Sequence, residues 1–260
     1  MNRHVLLETA ESAAREAGDF LRTEWQEPRH LEKKGFRDWV TDADYASQQI
    51  VTDLIQQRHP THGFQTEEAD GELPTTGDVI WLVDPVDGTT NFSRQQPNFT
   101  ITLAAVADGD VQAGVVYEPM RDEMFSAVSG GGSTLNGEGI SVSDRDALER
   151  SVVALDWAHA PAQRQRSLDA LGRYAHEVRT IRALGSAALA LAWVAVGRLD
   201  AYLNPGLQPW DLAAGALLVR EAGGRISDWN GQAWTPPVFP PAGLATNGRI
   251  HDQLLALIAV

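Results

Sequence analysis

Residues 81–92, WLVDPVDGTTNF, constrain this chain more tightly than any other stretch. Val79, Ile80, Trp81, Leu82 and Val83 form a short β-branched and aromatic run, the pattern of a buried strand, and it leads directly into Asp84. Pro85 fixes its own φ and biases Asp84 away from helix, so Asp84 and Asp87 fall in a bend at the strand's end. Gly88, Thr89, Thr90 and Asn91 follow, a small and hydroxyl-rich run that suits a helix start. A helix start offers unpaired backbone N–H groups and a partial positive charge to an anion. One segment therefore sets hard-cation ligands beside an anion cradle, a combination that points to metal-assisted phosphate chemistry. A D-x-x-D turn before glycine is also ordinary loop punctuation, so the reading needs support from elsewhere in the chain.

Composition removes several classes of function. The 260 residues are enough to bury a large core, as one domain over 1–260 or as two tightly packed halves, about 1–150 and 151–260. Cysteine is absent, so thiol nucleophiles, disulfides and Cys-based zinc sites are excluded. The seven histidines show no H-x-H or H-E-x-x-H spacing, which argues against a zinc-imidazole site. A formal net charge of -14 repels nucleic acid, so no nucleic-acid partner is expected. The longest apolar run, over 183–197, is too short for a membrane span and reads as a buried core helix. No membrane association is expected. The N-terminal residues lack a secretory pattern, so the expected location is cytoplasmic.

Taken in order, apolar spacing predicts a long amphipathic helix over 5–25, a polar lead over 33–44 and a second helix over 44–58. Thr41 with Asp44 has the form of a capping box, a structural role at least as good as a chemical one for Asp44. Lys33 reads as a solvated side chain rather than a phosphate ligand. A short strand near 64–65 ends in Thr66, Glu67 and Glu68, a pair of acids that gains meaning only if Glu67 lies beside Asp84. A loop over 71–78 precedes the central motif. Strands over 99–107, 111–117 and 123–128 imply an antiparallel meander packed on the N-terminal helices, with Gly109-Asp110 as a tight hairpin. Residues 130–137 are glycine-rich but lack the lysine and helix of a nucleotide P-loop, and read as a hairpin turn. Beyond them, strands over 152–157, 178–182, 199–203 and 225–228 alternate with helices over 162–176, 186–196 and 210–222, a layered α/β pattern. A Pro-rich loop, a strand over 243–246 and a terminal helix complete the chain. Ser133 and Ser186 have no base in a triad context, so acyl-enzyme chemistry has no support.

Three blocks together resemble the inositol monophosphatase family of the Mg-dependent sugar-phosphatase superfamily. They are Thr66-Glu67-Glu68, the segment from Asp84 to Phe92, and Trp210-Asp211-Leu212-Ala213-Ala214-Gly215. Asp38-x-Val40-Thr41-x-x-Asp44 and Gly185-Ser186-Ala187-Ala188 fit as well. The resemblance covers nearly the whole chain. It implies an αβαβα sandwich with a mixed, largely antiparallel N-terminal sheet and a smaller C-terminal α/β half. It implies that Glu67, Asp84 and the Val86 carbonyl bind one Mg²⁺ and that Asp84, Asp87 and Asp211 bind a second, with Mn²⁺ as a substitute. All-oxygen ligands suit such hard cations, and carboxylates forced together need a cation to offset their repulsion. Thr89, Glu67 and Asp44 would orient the attacking water. Gly88 and Thr89 would hold the phosphate, and Gly185, Ser186, Ala187 and Asn204 the rest of the substrate. Asn204 stands where inositol-selective members carry a glutamate, so the substrate extends to sugar phosphates, fructose 1,6-bisphosphate, histidinol phosphate, NADP or 3′-phosphoadenosine 5′-phosphate. The resemblance also implies a homodimer. A regulatory or binding role on a phosphatase fold is the competing reading.

Overall fold

The computed structural model describes residues 2–27, 31–35, 38–68, 73–232 and 242–259. The first helix, α1 (Arg3–Glu24), is capped by Asn2, whose side chain accepts the His4 N–H at 3.1 Å. It buries a stripe of small residues, Ala10, Ala13, Ala14 and Ala17, between Leu6 and Leu21. A hairpin of β1 (Leu31–Gly35) and β2 (Asp38–Thr41) then runs into α2 (Asp42–Arg58). The hairpin overlaps the stretch, 33–44, expected to be a polar lead into the second helix. Leu31-Glu32-Lys33-Lys34 has no apolar alternation, so no period-2 signal marked it as a strand.

Next come β3 (Gly63–Thr66), β4 (Ile80–Asp87), the five-residue helix α3 (Thr89–Ser93), β5 (Thr100–Ala107), β6 (Asp110–Glu118), β7 (Glu123–Val128), β8 (Gly132–Leu135) and β9 (Glu138–Gly139). These strands make a seven-stranded sheet in the order β3-β4-β5-β6-β7-β8-β9. The β3–β4 pair is parallel and the rest is an antiparallel meander. The glycine-rich stretch gives a turn at 129–131 followed by β8, so the hairpin expected there is shorter than its composition suggested. The second half holds β10 (Val152–Leu155), α4 (Pro161–Tyr174), β11 (Thr180–Arg182), α5 (Ala187–Ala195), β12 (Ala201–Asn204), α6 (Pro209–Glu221), β13 (Arg225–Ser227), β14 (Gly243–Thr246) and α7 (His251–Ile258). Its five-stranded sheet runs β11-β10-β12-β14-β13, with β11, β10 and β12 mutually parallel. Residues 233–241 of the expected Pro-rich loop, and 71–72 of the loop expected over 71–78, lie outside the described residues.

The layers follow from where apolar faces point. Trp81, Val83, Leu103 and Val115 pack against α1 and α2 on one face of the large sheet. Leu82, Ala104 and Val116 pack against α5 and α6 on the other. The far side of the small sheet is covered by α4 and α7 through Tyr174, Trp229, Leu244 and Leu254. The result is an αβαβα sandwich with α5 and α6 as its central layer. Being enclosed on both sides, α5 has no polar face, and every residue in it except Trp193 is buried. Gly215 of α6 lets the two helices touch, since a Cβ there would lie 2.5 Å from Leu191 Cβ. Among the described residues no helix is long and apolar enough to cross a membrane.

Candidate active site

The site begins with strand register. Because β3 and β4 are parallel with Thr66 opposite Val83, the next residues, Glu67 and Asp84, emerge side by side at the strands' C-terminal ends. The Glu67 N–H donates to the Val83 carbonyl at 3.0 Å, and the Glu67 side chain lies near enough for its charge to raise the Asp84 carboxyl. In a regular strand Asp84 and Asp87, three residues apart, would point to opposite faces. A bulge prevents this. Asp84 pairs with Thr102 and Asp87 with Thr100, so three steps on β4 oppose two on β5 and both acids share the face toward α5 and α6. Pro85, with no N–H to lose, sits in that bulge.

Helix α2 fixes this arrangement from the side. The Ser47 hydroxyl donates to the Pro85 carbonyl at 2.9 Å, and Gln48 bonds both backbone groups of Glu68, at 3.0 and 3.2 Å. Asp44 does double duty. It closes the capping box expected from sequence, accepting the Thr41 N–H at 3.0 Å and the Thr41 hydroxyl, and its other oxygen accepts the Thr89 hydroxyl at 2.9 Å. Fully buried, the Asp44 carboxyl is pushed up to about 6 by desolvation, with its hydrogen bonds opposing the rise. Helix α3 follows as expected but has only five residues, so its dipole is small, and Gly88 enters it with φ +105°.

Asp87 points across to the second half of the chain. Its carboxylate accepts Ser186 Oγ at 2.5 Å, Ala188 N–H at 2.8 Å, Ala187 N–H at 3.1 Å and Thr100 Oγ1 at 3.2 Å. Ser186 is the N-cap of α5, so Asp87 occupies the anion position at that helix's N-terminus. Asp211 lies at the start of α6, where it accepts the Gln208 N–H at 2.8 Å as part of a second capping box. Gly185 and Ala187 stand in the same α5 entry as Ser186. Asn204, at the end of β12, spends its side chain locally. Oδ1 accepts the Gly206 N–H at 2.9 Å and Nδ2 donates to Tyr202 Oη at 3.2 Å.

The electrostatics set this cluster apart from the rest of an acidic protein. Desolvation raises Asp84 well above the usual carboxylate range, and the charges of Glu67, Asp87 and Asp211 add to it. Burial likewise raises Asp87, against the pull of its α5 donors, and Asp211, with Asp87 as the next cause. Among the described residues, no three acidic or imidazole groups already stand at metal-ligand spacing. The donor set nevertheless fits a hard cation. It is made only of oxygens and it carries repelling charge. The exposed Lys33 is in β1.

Three side chains that build the site carried no recognised role in the sequence: Ser47, Gln48 and Asp156. Asp156 follows the apolar run Val152-Val153-Ala154-Leu155, the same strand-into-acid signal that marks Asp84, and that signal could have found it. Asn91 lies within the central motif, and its Nδ2 bridges the carbonyls of Asn98 and Leu184 at 2.6 and 2.8 Å.

Fold and site together define a layered αβαβα protein whose acids gather at the strand ends between its two sheets. Sequence comparison makes the assignment narrower: the chain belongs to the inositol monophosphatase family, whose model matches residues 2–259. It is 41% identical over 232 residues to Nus factor SuhB of Escherichia coli (strain K12), covering 88% of this chain and 86% of that protein. It is 36% identical over 249 residues to a fructose-1,6-bisphosphatase/inositol-1-monophosphatase of Thermotoga maritima, covering 94% and 92%. The crystal structure of extragenic suppressor protein suhB from Bartonella henselae matches with a TM-score of 0.91 at 35% identity over 98% of each chain.

Proposed function

We propose that the chain is a Mg²⁺-dependent phosphomonoesterase of the inositol monophosphatase type, acting by direct attack of water on a small-molecule phosphate monoester. The observation that carries this is the gathering of Glu67, Asp84, Asp87 and Asp211 around one bulged strand end, with the Asp44–Thr89 pair beside them. Glu67, Asp84 and the Val86 carbonyl would hold one cation, and Asp84, Asp87 and Asp211 a second; Mn²⁺ has the same ligand preference. Such cations supply the positive charge that polarises a phosphoryl group and makes water acidic enough to attack.

The chain's own groups do the positioning. Thr89 Oγ1 donates its hydrogen bond to the Asp44 carboxylate, which leaves its lone pairs to accept from the attacking water. Glu67, on the neighbouring strand end, orients the same water. Backbone N–H groups of Gly88 and Thr89 face the phosphate oxygens, and Gly185, Ser186, Ala187 and Asn204 border the alcohol half of the substrate. A neutral Asn204 that is occupied by its own turn favours substrates other than inositol phosphates alone. Domain boundaries, on this reading, enclose one unit over 1–260, with the site at the junction of its halves.

The test is phosphate release by the purified protein, with Mg²⁺ or with EDTA, from inositol phosphates, sugar phosphates including fructose 1,6-bisphosphate, histidinol phosphate, NADP and 3′-phosphoadenosine 5′-phosphate. Release with Mg²⁺ that disappears in EDTA is expected, and no release from any of them sinks the reading. A second reading draws on the name Nus factor borne by the Escherichia coli relative, and makes the chain a binding protein on a phosphatase fold. A D84N chain that still restored a null phenotype would favour that reading.

A further inference from the structure

The loop that carries Gly185 into α5 is gripped from two sides. On the side of the central motif, Asn91 Nδ2 donates to the Leu184 carbonyl at 2.8 Å. Gly185 has φ +72°, and a Cβ there would meet the Asn91 side chain at 2.9 Å, so the loop lies directly against that amide. From the end of β10, Asp156 Oδ1 accepts the Gly185 N–H at 2.9 Å. Asp156 is only 7% exposed. It stands at the C-terminal end of β10, between β11 and β12, and these three parallel strands deliver their ends to one edge. Asp156 Oδ2 lacks a hydrogen-bond partner of good geometry, so the carboxyl's engagement with the loop runs through Oδ1.

A buried carboxyl that gives up solvation for a bond to a loop amide fixes the backbone it holds. What that backbone presents next is the donor set around Asp87: Ser186 Oγ, Ala187 N–H and Ala188 N–H. We propose that Asp156 is a positioning residue, which holds the 184–188 loop so that Ser186, Ala187 and Ala188 fix the rotamer of Asp87. The proposal rests on the reading of Asp87 as a cation ligand. Asp156 touches neither the cation nor the phosphate; it acts through Gly185 and Asp87. Outer partners of this kind govern ligand orientation in metal sites generally.

The role needs an acceptor oxygen at Oδ1, not a charge, and this separates it from a direct electrostatic contribution. Asn at 156 keeps the oxygen; Leu keeps the volume and removes it. Two measurements on the full chain are compared for wild type, D156N and D156L: amide hydrogen exchange over 184–188, and Mn²⁺ affinity by electron paramagnetic resonance. D156L is expected to exchange about tenfold faster at those amides, with β4 and α6 unchanged, and to bind Mn²⁺ about tenfold more weakly. D156N is expected to match wild type in both. Unchanged exchange in D156L overturns the proposal, as does faster exchange with unaltered Mn²⁺ affinity. Equal impairment of D156N and D156L overturns it too, because charge would then be the active property. Should D156L fail to fold, D156A takes its place and D156N still discriminates. If wild type binds no Mn²⁺, the phosphatase reading falls, while the exchange comparison still decides whether Asp156 holds the loop.

Discussion

The two walls of the site are built differently. The wall from the first half sits on backbone: Glu67 and Asp84 are adjacent because β3 and β4 are hydrogen-bonded in parallel register, and Asp87 joins them through one bulge. The wall from the second half sits on loops and helix starts: Ser186 caps α5, Asp211 caps α6, and Asn204 closes a turn with Gly206. Ladder bonds tolerate little displacement, since slipping a strand by one residue turns every side chain to the other face. A cap or turn bond can be lost at about 1 kcal/mol without moving the element that carries it. The first wall therefore suits a part whose geometry is fixed by the chemistry, and the second, apart from Asp211, a part that is altered to suit a substrate.

Substitutions can break this contrast. The largest effect is expected from D84N or D211N, each of which removes a shared or cross-wall cation ligand. Mg²⁺-dependent phosphate release should fall by about 10³-fold or more, in line with several kcal/mol of lost charge stabilisation. Equal damage from the two would show that the loop-borne wall contributes chemistry as well as shape. D44N comes next, with a loss of about 10²-fold expected from the weakened Thr89 partner. Burial raises the Asp44 carboxyl to about 6 and bound cations oppose that rise, so wild-type turnover should rise with pH as Asp44 ionises at or below that value, and D44N should lose this limb of the profile. A pH-independent wild type would remove Asp44 from the water-orienting role.

A smaller effect is expected on stability. Burial raises Asp44 to about 6 in the folded chain, against roughly 3.9 when unfolded. The folded state thus holds more protons between these values, so this contribution to stability is complete below the unfolded pKa and is lost as pH rises through about 6. In EDTA, D44N should melt like wild type near pH 4 and a few degrees above it once the pH exceeds 6. Thermal melts across this range check the sign, and a D44N that is less stable at high pH contradicts it. The smallest effect belongs to N204A. Loss of the Gly206 turn bond should cost about 1 kcal/mol of stability and shift KM by less than about tenfold, with kcat nearly unchanged. A collapse in kcat would move Asn204 from the adaptable wall to the fixed one.

Much of this architecture is legible in the chain. The strand at 79–83, the capping box at Thr41 and Asp44, the enclosed helix within 183–197 and the meander from 99 to 128 each carry a local signal that the structure repeats. The β1–β2 hairpin was not legible, because polar strands lack alternation and depend on pairing. Asp156 had the right signal but no companion motif, and Ser47 and Gln48 act only through backbone groups far away in sequence.

The amino-acid sequence by itself nominated the acids of the proposed site, since motif, order and residue chemistry are properties of the chain and mark Glu67, Asp84, Asp87 and Asp211 against an acidic background. Only the tertiary structure decided how they meet. The parallel register that sets Glu67 against Asp84, the bulge that turns Asp87 to the same face, and the loop that Asn91 and Asp156 hold between them are pairings of distant backbone. Such pairings are fixed when layers pack and their buried polar groups must all find partners, a condition that no short stretch of sequence can satisfy alone.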